Sequence, residues 1–263
     1  MLPGKIFGLF YMYGLMIAVG IIACFVVLFL CGKKKKIQPS FLDFCFYNAV
    51  IAIALGFGSA ALFQATYNYI ENPEKGFSFG GITFIGGLIG GVVSFLLGYL
   101  IFRKRFQSKL LDILSLAPCC ILIAHAFGRV GCFFAGCCYG RPTDSILGIT
   151  FPGMSHPVHP TQLYEAVFLF LTFAVCMVLY LKKDFKYNLP LYLVVYGIFR
   201  FFIEFVRDDK RGELVGAVTP SQFWSILMVV IGVALFFYLR YVYKKRAQNG
   251  DPVQTKEEKE IEA

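Results

Sequence analysis

Seven runs of mostly apolar residues are the feature that most constrains how this chain can fold. A helix needs about 20 such residues to cross the hydrocarbon core of a bilayer. The runs lie at 6–31, 42–66, 80–102, 110–128, 160–181, 188–206 and 219–243. The fourth is the weakest, because Pro118 and the Cys119–Cys120 pair interrupt it. The pattern predicts an all-α polytopic membrane protein with seven transmembrane helices.

The composition supports a membrane protein and excludes other classes. Hydrophobic residues make up 58% of the 263 residues and charged residues 16%. Soluble domains contain about 45–50% apolar residues even with glycine counted, and about 25% charged residues. A soluble enzyme, a disordered protein and a secreted disulfide scaffold are therefore excluded. The net charge of +9 fits basic cytoplasmic loops facing anionic membrane lipids, and we expect no nucleic-acid partner.

The distribution of Lys and Arg predicts the orientation of the helices. One set of helix ends carries fourteen basic residues, in clusters at 33–36, 103–109, 182–186 and 244–246, and the other set carries seven. Basic residues favour the cytoplasmic side, so the N-terminus is expected outside and the C-terminus inside. Segment 129–159 then lies on the outer side. We expect one integral membrane domain over 1–248 and a disordered, polar cytoplasmic tail over 249–263.

The sixth apolar run contains charged residues at membrane depth. Tyr196, Arg200 and Glu204 are four residues apart, which places them on one face of a helix. Charged side chains within a membrane span are rare and usually face a polar cavity. One interpretation is a buried Arg–Glu pair that joins helices. The other is the wall of an anion site, for which the planar, permanently charged guanidinium of arginine is well suited.

Two further polar segments lie near the predicted outer side. Arg129 follows the fourth run, with Gly128 and Gly131 allowing close approach of a ligand or a helix, and His125 is one turn earlier. The second segment contains His159, Gln162 and Glu165, which could share a helix face at the start of the fifth span. The alternative is helix capping and span packing, with Thr161 and Gln162 helping the helix to start. Two arginines with carboxylates near the outer side favour a phospholipid headgroup as ligand.

Three cysteines cluster after the fourth run, at Cys132, Cys137 and Cys138. Their spacing is not that of a C-x2-C zinc pair. They could pack helices closely, form a disulfide on the outer side with Cys132 as one partner, bind a metal or supply a catalytic thiol. Vicinal cysteines form a strained bridge with each other. We predict a structural role for the three residues.

The ordered set of motifs resembles one family, the prolipoprotein diacylglyceryl transferases of bacteria. The motifs that carry the resemblance are Tyr13-Gly14-Leu15-Met16, Gly86-Gly87-Leu88-Ile89-Gly90, Gly128-Arg129-Val130-Gly131 with Gly136 and Tyr139 to Asp144, His159-Pro160-Thr161-Gln162-Leu163-Tyr164-Glu165, and Tyr196-Gly197 with Arg200, Glu204 and Arg207. Each motif alone is only weak evidence for the family. Five in order on a seven-span chain make a specific resemblance that covers most of the sequence.

The resemblance implies a transferase of a bacterial cytoplasmic membrane that acts in lipoprotein biosynthesis. A diacylglyceryl group moves from phosphatidylglycerol to the lipobox cysteine thiol of a prolipoprotein, without a cofactor or a metal. The resemblance implies that Arg129 and Arg200 hold the phosphate and that Glu204 orients Arg200 or a headgroup hydroxyl. The substrate-binding residues that it implies are Tyr13, Gly86, Gly87, Gly128, Gly140, Arg141, His159, Gln162, Glu165, Tyr196 and Arg207.

The chain also departs from the family pattern. Ile85 stands where members usually have a histidine that is a candidate base, and Cys132, Ala135 and Cys137 replace two asparagines and a glutamate. His125, His159, water, or arginine-assisted ionisation of the thiol could replace the base. Two alternatives therefore stay open: a phospholipid-dependent transferase with another acceptor, and a phospholipid-binding membrane protein without catalysis.

Overall fold

The computed structural model describes residues 5–6, 10–81, 83–208 and 219–248. Within these residues, seven helices are long and apolar enough to cross a membrane, which confirms the predicted fold class. The helices are α1 Met12–Lys34, α2 Pro39–Glu71, α3 Phe84–Phe102, the short α4 Leu110–Ile113, α5 Ala117–Ala135, α6 Thr161–Lys183, α7 Asn188–Ile203 and α8 Pro220–Gln248. Two-residue strands β1 Lys5–Ile6 and β2 Phe10–Tyr11 pair in an antiparallel hairpin before α1. The orientation remains a prediction, and the predicted disordered tail at 249–263 lies outside the described residues.

The chain divides into two compact units, and the single domain over 1–248 remains a prediction. One unit runs from Phe29 to Ile113. In it, α2 and α3 pack through small residues, as helices in membranes commonly do. A Cβ atom at Gly86 would lie 2.5 Å from Phe63 Cβ. The Ser59 hydroxyl donates to the Gly86 carbonyl at 2.8 Å.

The second unit contains residues up to Leu28 and those from Leu114 onwards. In it, α5 packs on α6, and α7 packs on α8. Gly20 of α1 meets α5 closely, because its missing Cβ atom would lie 3.0 Å from the Ala124 carbonyl oxygen. The buried Asn188 amide donates to the carbonyls of Ser115 and Cys176, which joins the start of α7 to two other segments. This unit carries most of the predicted site residues.

The position of the fourth span differs from the prediction. It runs over Ala117–Ala135 rather than 110–128. Pro118 does not interrupt the helix but lies in its first turn, where the N–H that proline lacks has no intrahelical partner in any case. Arg129 therefore lies inside α5 rather than after it. As a result, the signature segment around Arg129 is helical and its side chains follow helical spacing.

Candidate functional site

Glu165 of α6 lies at the centre of a cluster of charged and polar side chains. Its side chain is 0% exposed. The Tyr196 hydroxyl donates to its Oε1 at 2.7 Å, and Arg129 Nε pairs with its Oε2 at 3.1 Å. His125 Nε2 is 3.6 Å from Oε1, and Arg207 Nη1 is 4.0 Å from Oε2. A buried carboxylate of this kind is stable only when it is paired, and here four side chains surround it.

Helical spacing brings these partners together. His125 and Arg129 are four residues apart on α5 and so share a face. Arg129 Nε donates to His125 Nε2 at 3.3 Å, so that nitrogen acts as an acceptor and the imidazole is neutral. The His125 ring meets the Tyr196 ring edge to face, with centroids 5.3 Å apart. Three helices, α5, α6 and α7, therefore supply one cluster.

A second ion pair lies at the end of α7. Arg200 Nη2 is 2.8 Å from Glu204 Oε2, four residues later and just after the helix. The same nitrogen donates to the Ser221 hydroxyl at 3.1 Å, and Thr219 donates to Glu204 Oε1 at 3.2 Å. Tyr196 does not join this pair, because its hydroxyl binds Glu165.

Arg200 has donor capacity that its contacts do not use. Among the described residues, the buried Arg200 Nη1 has no hydrogen-bond partner. Arg129 and Arg207 lie within 4.0 Å of Glu165, and Arg200 lies 2.8 Å from Glu204. Because an unpaired buried donor is costly, and this one belongs to a guanidinium, the arrangement is suited to an anionic ligand.

Ser221 is a contact of Arg200 that the sequence interpretation missed. It lies in the first turn of α8, where Thr219 and Gln222 form a capping box. The Gln222 N–H donates to the Thr219 hydroxyl at 3.3 Å, and the Thr219 N–H donates to Gln222 Oε1 at 3.1 Å. The sequence Thr219-Pro220-Ser221-Gln222, with proline at the first helical position, is the signature of such a start and could have located it.

Gly140 and Arg141 position the end of α7 through their backbone. The Arg141 N–H donates to the Val206 carbonyl at 2.8 Å, and the Gly140 N–H donates to the His159 carbonyl at 2.8 Å. A Cβ atom at Gly140 would lie 2.5 Å from the Val206 carbonyl oxygen, so only glycine fits. The Arg141 side chain is largely exposed, and its Nε donates to the Arg207 carbonyl at 3.3 Å.

The glycines beside Arg129 differ in their surroundings. A Cβ atom at Gly131 would lie 3.3 Å from the ring of Tyr13 and 3.2 Å from Met16, so this glycine admits α1. A Cβ atom at Gly128 would have nothing within 4 Å among the described residues. Gly131 therefore serves helix packing, and Gly128 leaves open space beside Arg129. Tyr13 itself is 44% exposed.

The start of α6 differs from the predicted shared face. His159 precedes the helix, and its Nδ1 hydrogen-bonds the Tyr164 hydroxyl at 3.2 Å. Gln162 is buried and donates to the Cys137 carbonyl at 2.6 Å, so it does not cap the helix. Of these three described residues, Glu165 is the one that forms ion pairs with arginines. His159 could not share the face because the helix begins two residues after it.

Thr161 and the three clustered thiols lie beside this helix start. The Thr161 hydroxyl donates to the Cys138 carbonyl at 2.8 Å. Cys132, Cys137 and Cys138 are not joined by a disulfide, so the bridge that the sequence left open is not formed. Hydrogen bonds with the Cys132 and Cys137 thiols lower the pKa of Cys138, and the nearby Arg207 guanidinium acts in the same direction.

Gly86 and Gly87, predicted to bind substrate, lie on α3 in the unit that spans 29–113. Gly87 meets α2 as Gly86 does, with a Cβ position 3.3 Å from Ala60 Cβ. Close packing against α2 therefore explains why glycine stands at both positions. Their role toward a substrate remains a prediction.

These features define a class: a multi-pass membrane protein with an arginine-rich, buried cluster suited to an anionic ligand. A model of the family described as prolipoprotein diacylglyceryl transferase matches residues 5–238. The chain therefore belongs to the prolipoprotein diacylglyceryl transferase family.

Curated relatives agree with this assignment. A phosphatidylglycerol–prolipoprotein diacylglyceryl transferase of Clostridium tetani is 36% identical over 245 residues, covering 88% of this chain and 94% of the relative. A second such protein, from Clostridium perfringens, is 35% identical and covers 89% of this chain and 93% of its own length. One from Finegoldia magna is 33% identical, with 94% of this chain and 97% of the relative covered.

Proposed function

We propose that this protein transfers the diacylglyceryl group of phosphatidylglycerol to the lipobox cysteine thiol of prolipoproteins. The names of the relatives from Clostridium and Finegoldia describe the same donor and the same class of acceptor. The similarity extends over most of both chains, so no large segment of those transferases lacks a counterpart here.

One observation carries the proposal: the buried Arg200 guanidinium has a nitrogen without a hydrogen-bond partner among the described residues. This nitrogen is Nη1, while Glu204 and Ser221 hold Nη2. The phosphate of phosphatidylglycerol carries one negative charge and accepts hydrogen bonds, so it can bind Nη1. Arg129 is held by Glu165, with open space at Gly128 beside it, so it is the second candidate to contact the phosphate.

The chemistry is a displacement at carbon. The cysteine sulfur of the prolipoprotein attacks the glyceryl carbon that is ester-linked to phosphate, and a C–S bond forms as the C–O bond breaks. The electron pair goes to the phosphate oxygen, and glycerol phosphate leaves. Arg129 and Arg200 stabilise the charge that develops on this oxygen, which is an electrostatic role for preorganised donors. Glu204 positions Arg200 for it.

A base must take the thiol proton, since the thiolate is the nucleophile. Ile85 cannot do so. Of the two imidazoles that the sequence offered, His125 is the one within the cluster, 3.3 Å from Arg129 Nε and 3.6 Å from Glu165. His159 is hydrogen-bonded to Tyr164 instead. We therefore assign the proton to His125, whose Nε2 must first release the Arg129 N–H that it accepts in this structure.

The protein is proposed to act in a bacterial cytoplasmic membrane with its N-terminus outside. An odd number of spans places the two ends of the chain on opposite sides of the membrane. The loop between α5 and α6 then lies on the outer side, where exported prolipoproteins present their lipobox.

The test is expression in bacterial cells depleted of their own transferase, with lipoprotein mass measured by mass spectrometry. The proposal expects the mass increase of one diacylglyceryl group on the lipobox cysteine, and loss of that increase with Arg129→Ala. A protein that binds phosphatidylglycerol but leaves the lipoprotein mass unchanged would support the non-catalytic alternative. A mass increase on another acceptor would support the divergent transferase.

A further inference from the structure

Cys132, Cys137 and Cys138 form a thiol cluster with a geometry suited to a metal ion. Their Sγ atoms all lie within 4.8 Å of one another. Two thiolates on one tetrahedral zinc ion are about 3.8 Å apart, given a Zn–S distance of about 2.3 Å. The sulfurs therefore need to move by only about an ångström to share one ion. All three residues are partly exposed, so an ion can enter.

The backbone brings the thiols together and keeps them there. Helix α5 ends in a Schellman motif, in which Gly136 has a φ of 68° and the Cys137 N–H donates to the Cys132 carbonyl at 3.2 Å. This turn folds residues 137 and 138 back over the last turn of α5, where Cys132 lies. The positions of the three cysteines in the sequence therefore place all three side chains at this turn.

Cys138 is held in an unfavourable backbone conformation. Its φ is 63°, which residues other than glycine rarely adopt. Two side chains at the start of α6 stabilise this conformation. Thr161 donates to the Cys138 carbonyl at 2.8 Å, and Gln162 donates to the Cys137 carbonyl at 2.6 Å. Strained residues that neighbouring side chains over-determine are often functional. Here the strain directs a third sulfur toward the other two.

We propose that Cys132, Cys137 and Cys138 bind a thiophilic divalent d10 cation of the Zn²⁺ class through their three sulfur atoms. Thiolates select such ions over hard cations. Water completes the fourth position of a tetrahedral site. The ion ties the start of the loop after α5, at Cys137 and Cys138, to Cys132 in the last turns of α5, so its role is structural. This proposal does not rest on the proposed transferase function.

The charges around the cluster fit a metal–thiolate group. Three thiolates and one divalent cation carry a net charge of one negative unit. The Arg207 guanidinium acts on Cys138, and the Arg129 guanidinium acts on Cys132. Both positive charges therefore favour the thiolate form that binds a metal.

The first test uses the full-length wild-type protein in detergent, reduced and freed of metal with a chelator, with any affinity tag removed. Titration with Cd²⁺ should produce a sulfur-to-cadmium absorption band that saturates at one ion per chain. Bound Zn²⁺ should protect three thiols from alkylation, identified by peptide mass spectrometry as residues 132, 137 and 138. A disulfide within the cluster in the protein as isolated, or no absorption band at one equivalent, would overturn the proposal.

The second test removes single ligands. Cys137→Ser and Cys138→Ser should each weaken Cd²⁺ binding by more than about a hundredfold. Loss of a residue that only hydrogen-bonds a metal ligand already lowers metal affinity about 10- to 100-fold. The matched control is Cys24→Ala, which removes a partly exposed thiol on α1 and should leave the affinity unchanged. Equal Cd²⁺ affinity in all four proteins indicates adventitious metal only and overturns the site. Because the wild-type titration needs no variant, a variant that does not fold leaves the test intact.

Discussion

Arg129 and Arg200 form ion pairs with different carboxylates, and this difference separates their roles. Arg129 pairs with the central Glu165, whereas Arg200 pairs with Glu204 and keeps one nitrogen without a partner among the described residues. The sequence could predict the stripe of Tyr196, Arg200 and Glu204 because residues on one helix follow a fixed spacing. It could not predict that Tyr196 binds Glu165, because that contact depends on how α6 and α7 pack.

Arg200→Lys should lower transfer activity about tenfold to a hundredfold. Lysine keeps the charge but loses the planar fork, so it cannot reach Glu204, Ser221 and a phosphate at once. A hydrogen bond to a charged group contributes about 1.5–3 kcal/mol, which corresponds to this range of rates. The measurement is diacylglyceryl transfer from labelled phosphatidylglycerol to a lipobox peptide.

The control for this variant is Arg240→Lys, which changes an exposed arginine in the C-terminal half of α8. Its activity should equal that of the wild type. Full activity in Arg200→Lys would show that Arg200 does not bind the phosphate through its fork.

Glu165→Gln should destabilise the protein by about 3–5 kcal/mol. The amide can still accept the Tyr196 hydroxyl, but Arg129 and Arg207 lose the buried charge that faces them, and a buried charge without its partner is costly. The measurement is the unfolding temperature in detergent, by intrinsic fluorescence. Asp144→Asn, which removes an exposed carboxylate, is the control. An unchanged unfolding temperature in Glu165→Gln would contradict the central position of this carboxylate.

At the scale of elements, hydropathy located seven spans but misplaced the fourth. The run 110–128 is apolar, yet the helix begins at Ala117, because Pro118 is compatible with a first helical turn and not with a helix interior. The position of Pro118, rather than the apolar pattern, therefore indicates where this helix begins. The glycines of α3 were predicted as binding residues by resemblance, while their contacts with Ala60 and Phe63 are those of helix packing.

Gly86→Ala should destabilise the α2–α3 pair by about 1–3 kcal/mol, the usual cost of an overpacked contact. The new Cβ atom would lie 2.5 Å from Phe63 Cβ, which cannot move without shifting its backbone. The measurement is the unfolding temperature together with transfer activity per folded molecule. Gly58→Ala is the matched control, because its Cβ atom would meet nothing within 4 Å among the described residues. Unchanged stability with lost activity in Gly86→Ala would instead support the substrate-binding role.

At the scale of the whole molecule, the sequence predicted the number of spans and the membrane class. Apolar length and charge are properties of the composition along the chain, so they need no tertiary contacts. The division into two compact units depends on which helices pack together, and the sequence pattern did not predict it. The orientation follows from the basic residues alone and remains to be measured.

A reporter enzyme that is active only in the cytoplasm should function when fused after Lys245 and fail when fused after Asp144. The excess of basic residues at one set of helix ends is the physical reason. An exported reporter at the same two positions is the control and should give the opposite result. Cytoplasmic activity at Asp144 would reverse the orientation and place the loop after α5 on the inner side.

The arginines of the cluster have a consequence for turnover. A phosphodiester donor carries one negative charge, whereas the glycerol phosphate that leaves is a monoester with about 1.5–2 negative charges. We therefore expect the arginines to bind the product more strongly than the donor headgroup, with product inhibition and a rate limited by release of the leaving group. Added glycerol phosphate should inhibit competitively with phosphatidylglycerol, and a neutral glycerol analogue should not. Small phosphonates that imitate the monoester are then the natural starting point for inhibitors.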